Sequence, residues 1–114
     1  MDIEVKREDY IDVEEAVHRI GGNMDLYKRL LGRFVDGNHF YALVGALDGG
    51  DKEEAAHLAH TLKGVSANLS LIKVTSLTVA LEQCIKEDAD HSGRLAELRD
   101  AYDVTLEIIA ELVG

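Results

Sequence analysis

Proline is absent from the 114 residues, and aromatic side chains make up only 5% of them. Sheet proteins of this size draw on aromatic residues for their strands and on proline for their turns, so the composition points to an all-α fold. A single cysteine, Cys84, excludes an internal disulfide framework and fits a reducing, cytoplasmic setting. No stretch approaches the roughly 18 apolar residues of a membrane span. The acidic start, Met1-Asp2-Ile3-Glu4, lacks the basic and apolar regions of a signal peptide. Basic residues are also scarce: 12 Lys and Arg stand against 22 Asp and Glu, for a formal net charge of −10. Nucleic acids and anionic membranes are held by Lys and Arg, so the balance argues against both as partners. Without a Gly-rich phosphate loop, no nucleotide-dependent kinase activity is expected.

The length fits one domain that buries its own core without a disulfide or metal staple. Residues 1–11 are charged and poor in apolar side chains, and read as an extended lead-in to a helical domain over 12–114. Asp12 with Glu15 forms a capping-box pattern before a short helix carrying Val13, Ala16, Val17 and Ile20, which Gly21-Gly22 ends. Asn23 then caps a long helix carrying Tyr27, Leu30, Leu31, Phe34, Tyr41, Val44 and Leu47, with Gly37-Asn38 as a point of bending or splitting. Asp51 and Glu54 open a helix with Ala55, Leu58, Leu62, Val65 and Leu69 inward. Ser70 is the expected cap of the next, which turns Val74, Leu77, Leu81 and Ile85 inward, with Cys84 beside that stripe as a small buried hydrophobe. After a polar loop over 88–93, the last helix carries Leu95, Leu98, Tyr102, Thr105, Ile109 and Leu112. Long amphipathic helices with short connections predict an antiparallel four-helix bundle with an additional short N-terminal helix.

One histidine stands out. At about 100° per residue, the inward positions of the Asp51 helix cluster in one stripe, and His60 falls about 180° from its middle. Its neighbours on the helix surface, three and four residues away, are Ala56, His57, Lys63 and Gly64, with Glu53 and Ala67 one turn further. The ring therefore stands on a low surface. A glycine within a helix costs about 0.5–1 kcal/mol relative to alanine, so Gly64 answers to something other than helix stability. Close approach of a partner's backbone to His60 is such a reason, and Lys63 places an ammonium where it can meet an anion held on the ring.

The residues Ala59-His60-Thr61-Leu62-Lys63-Gly64-Val65-Ser66-Ala67-Asn68-Leu69 resemble the signature of histidine-containing phosphotransfer (HPt) domains of phosphorelays. The resemblance extends to the Ile20-Gly21-Gly22-Asn23 turn, to the run from Leu26 to Phe34 and to the acidic, Gly-containing turn before the histidine helix. It covers the chain from about Asp12 to the end. Ser70 stands where many members have glycine, which points to a changed helix terminus. The resemblance implies that His60 takes a phosphoryl group from the aspartyl phosphate of one receiver domain and hands it to another. The implied partners are response-regulator receiver domains or a hybrid sensor histidine kinase. The chain itself would need no cofactor, because the receiver brings the acidic pocket and Mg²⁺. Attack is expected through Nε2, with Nδ1–H held by a hydrogen bond. Some members supply that bond from the following helix, and the ungapped register puts Glu82 and Lys86 at the matching positions, on the polar side of their helix. Ala56, His57, Ala59 and Ala67 are the expected docking surface, and the domain is expected to be a monomer.

Glu54-x-x-His57 is half of a di-iron motif, and His57 with His60 could hold a surface metal. A di-iron bundle, however, needs two such motifs and two further glutamates facing inward, so no dedicated metal site is expected. His18, His39 and His91 carry no constellation. Ser66 has neither a base nor an oxyanion site beside it. Two other functions remain alternatives: a helical module that binds a receiver or kinase without being phosphorylated, and the phosphotransfer domain of a chemotaxis-type histidine kinase. The complete His60-Lys63-Gly64 set disfavours the first, since binding alone does not require the histidine. The residues after Gly64 look less like the second.

Overall fold

The computed structural model describes residues 6–114. They form a 3-10 turn, Arg7–Asp9, and six α-helices: α1 (Val13–Arg19), α2 (Met24–Asp36), α3 (His39–Asp48), α4 (Lys52–Asn68), α5 (Ile72–Lys86) and α6 (Ser92–Val113). Among the described residues there is no strand. Three helices start where side chains satisfy free amides: Asp12 accepts from Glu15 N–H, Asn23 from Leu26 N–H and Asp51 from Glu54 N–H. Glu15 does not complete the expected capping box; its carboxylate reaches down the helix to Arg19, 2.6 Å away.

The long arm expected from Asn23 to Asp48 is split. Asn38 adopts a left-handed backbone, φ +52°, which asparagine tolerates better than most residues, and separates α2 from α3. The two halves then serve different neighbours, α2 packing on α6 and α3 on α4. With α4 on α5 and α5 on α6 the ring closes, so α2 and α3 together make one arm of a four-membered bundle. The core contains Tyr27, Leu31, Phe34, Phe40, Leu62, Leu81, Leu98 and Tyr102, all buried. Tyr102 lies between Phe34 and Phe40, at ring-centroid distances of 5.8 and 5.1 Å. Tyr27 donates to the Leu69 carbonyl at 2.8 Å, and burial pushes its hydroxyl up to about 12.

Several expectations are corrected. Tyr41, assigned to the inward face, is 53% exposed, because the break at Asn38 resets the helical phase. The lead-in is not simply extended: residues 7–9 make a turn and Ile11 is buried in the core, while residues 1–5 lie outside the described residues. Backbone bonds from Asp12 N–H to the Ser70 carbonyl and from Lys73 N–H to the Tyr10 carbonyl tie it to the α4–α5 corner. Ser70 caps nothing: the N-cap position of α5 falls on Leu71, which offers no side-chain cap, and Ser70 is buried with φ +55°. Cys84 is only half-buried.

Candidate functional site

The face that α4 turns to the core is set by Ala55, Ala59, Leu62 and Ser66, all buried. His60 is carried to the far side, with 69% of its side chain exposed. His57, Gly64 and Ala67 are exposed around it and Ala56 is half-buried. Ala59, assigned above to the docking surface, belongs to the core instead: it lies about 100° round the helix from His60, toward α5, and is fully buried. A Cβ at Gly64 would meet nothing within 4 Å, so nothing among the described residues requires glycine there.

Helix α5 runs beside α4 and brings Glu82 beneath the ring. Glu82, expected on the polar side of its helix, is only 5% exposed, because the α4–α5 contact covers it. Lys63 Nζ donates to its Oε1 at 3.2 Å. Its Oε2 faces two cationic or polar groups, Lys86 Nζ at 3.4 Å and His60 Nδ1 at 3.5 Å. Burial pushes the Glu82 carboxyl up, but the hydrogen bonds and charges of Lys63 and Lys86 outweigh it and hold the group below the usual glutamate range. The carboxylate is therefore ionised at neutral pH. With Nδ1 turned to Glu82, Nε2 is the outer nitrogen of an exposed ring. His60, Lys63, Glu82 and Lys86 thus meet in one cluster.

Sequence reasoning missed the clamp at the far end of α4. Arg19 donates to the carbonyls of Ala67 and Asn68 at 3.1 and 3.0 Å, to the Ser70 hydroxyl at 3.0 Å, and to Glu15. It satisfies carbonyls that a helix leaves free at its C-terminus. Apart from Glu15, its partners lie about 50 residues away along the chain, and no local pattern announces such a pairing. Nearby, the Ser66 and Thr75 hydroxyls, 2.8 Å apart, stitch α4 to α5.

A model of the Hpt domain family matches residues 37–112, more than half of the chain. The chain belongs to the Hpt domain family, whose members are helical bundles that carry phosphoryl groups on histidine in phosphorelays, working with receiver domains and kinases. No curated protein and no solved structure gives a significant match. Among the described residues no helix is long and apolar enough to cross a membrane, and no three His, Cys, Asp or Glu side chains gather as metal ligands.

Proposed function

We propose that the protein is a phosphorelay intermediate in which His60 accepts a phosphoryl group from a receiver's aspartyl phosphate and passes it to a second receiver. The observation that carries this reading is the ring itself: exposed, opposite the core, with Nδ1 toward a buried carboxylate and Nε2 outward. Neutral imidazole is a competent nucleophile near neutral pH. Phosphoryl transfer calls mostly for positioning and charge stabilisation. A rigid helix supplies the first, and Lys63 with Lys86 the second. The Mg²⁺ and the acidic pocket belong to the receiver. Gly64 and Ala67 leave room for its loops, with Ala56 and His57 at the border of the contact. The chain acts as a carrier and needs no kinase activity of its own.

Transfer from a radiolabelled receiver, run beside His60→Gln, tests the reading. Acid-labile, alkali-stable label on the wild type alone is expected. Label on both proteins, or on neither across a panel of receivers, would overturn it; the second result would favour a binding module that is never phosphorylated.

A further inference from the structure

The cluster beneath His60 is unevenly charged. While the ring is bare and neutral, one carboxylate faces two lysines, which leaves one positive charge in surplus. None of the three contacts, at 3.2, 3.4 and 3.5 Å, reaches the roughly 2.7–2.9 Å of a well-made charge-assisted bond. Oε2 is shared between Lys86 and His60, and the His60 contact is the longest. A phosphoryl group on Nε2 brings about two negative charges to the outer edge of the ring. If Nδ1 keeps its proton, the ring gains one positive charge, and the loaded cluster becomes neutral as a whole.

The two lysines differ in how they are tethered. Lys86 stands one turn from Glu82 on α5 and moves with the carboxylate, whereas Lys63 stands one turn from His60 on α4 and moves with the ring. We propose that Lys63 is exchanged between two anions: it holds Glu82 while His60 is bare and crosses to the phosphoryl group when His60 is loaded, freeing Glu82 to close on Nδ1–H. This rests on His60 being the phosphoacceptor and adds how the site is regulated by its own cargo.

The exchange makes the transfer reversible without moving a proton. On loading, the Nε2 lone pair forms the P–N bond, the P–O bond of the acyl phosphate breaks, and its electron pair leaves with the receiver's carboxylate. The ring, still protonated at Nδ1, is then a cation. On unloading, a carboxylate oxygen of the second receiver forms a new P–O bond as the P–N bond breaks, the pair returns to Nε2 and a neutral imidazole departs. Had Nδ1 lost its proton in between, the same step would expel an imidazolate, a far poorer leaving group. Glu82 on Nδ1–H guards against that loss. The other ionisable groups near the ring are His57 and Glu53 on α4. Helix α3, packed on the other flank of α4, carries only His39, Tyr41 and Asp48.

Potassium phosphoramidate, a small phosphoryl donor, loads exposed histidines without a partner, so the whole chain can be followed by ¹³C, ¹⁵N and ³¹P NMR. On loading, the side-chain signals of Lys63 and Glu82 should shift together while those of Lys86 move little. Nδ1 of the phosphorylated ring should stay protonated to a pH about one unit or more above that in Glu82→Gln, whose amide holds no charge against the ring. A loaded His60 with unmoved Lys63 signals, or an Nδ1 midpoint equal in wild type and Glu82→Gln, would overturn the exchange and leave the phosphocarrier reading standing. A folded chain in which phosphoramidate leaves His60 unmodified would overturn both.

Discussion

His60 and Leu62 sit two residues apart on one helix and face opposite worlds. Leu62 is fully buried, so Leu62→Ala should cost about 2–5 kcal/mol through lost burial and a residual cavity. His60→Gln, on the exposed side, should change stability by less than about 0.5 kcal/mol. Urea melts of the two variants check this, and equal losses would contradict the assignment of faces. Glu82 makes a prediction of a different kind. Its carboxyl is held below its ordinary value of 4.5, so its ionised form adds stability that is complete above that pH and is lost as pH falls through the folded-state value. The wild type should therefore lose stability faster than Glu82→Gln as pH is lowered below 4.5; parallel curves would show that the charge contributes nothing. His60, Lys63 and Gly64 were legible because helical phase alone puts them on one outward face. Glu82 was legible as a neighbour of the ring but not as a buried group. Only the packing of α5 on α4 decides how deep a residue at the edge of a polar stripe ends up.

Helix boundaries followed from caps and glycines wherever the signal was local, as at Asp12, Asn23 and Asp51. The reading failed at Ser70, where the controlling interaction is distant. There a left-handed serine costs about 1–2 kcal/mol relative to glycine, and its hydroxyl recovers part of this by accepting from Arg19. Ser70→Gly alone should accordingly change stability by less than about 1 kcal/mol, since relieved strain and the lost bond oppose one another. In an Arg19→Ala background the bond is already gone, and the same substitution should stabilise by about 1–2 kcal/mol. Additive effects across that double-mutant cycle would show that Arg19 and Ser70 act independently. The split between α2 and α3 was legible as a place but not as a change of phase, which is why Tyr41 was assigned to the wrong face.

Charge is distributed unevenly over the whole molecule. From Ala55 to Lys86 the charged side chains are Lys63, Lys73, Glu82 and Lys86, so the α4–α5 face is positive in a chain of net charge −10. Among the described residues, the large exposed hydrophobic ones are Tyr41, Ile72, Val79 and Val113, spread over three helices. Single exposed apolar residues do not make an association surface, and the net charge makes copies repel. Analytical ultracentrifugation at micromolar concentration should therefore find a monomer, and a stable dimer would show that one of these helices has an unseen partner face.

The open space at Gly64 bears on how this chain would respond to selection. Alanine fits there without a clash and is the better helix former by about 0.5–1 kcal/mol. A laboratory screen that rewards heat resistance alone should enrich Gly64→Ala, and the survivors should be sturdier proteins that exchange phosphoryl groups more slowly with their receivers. Thermal robustness and commerce with a partner would then be set against each other by a single methyl group.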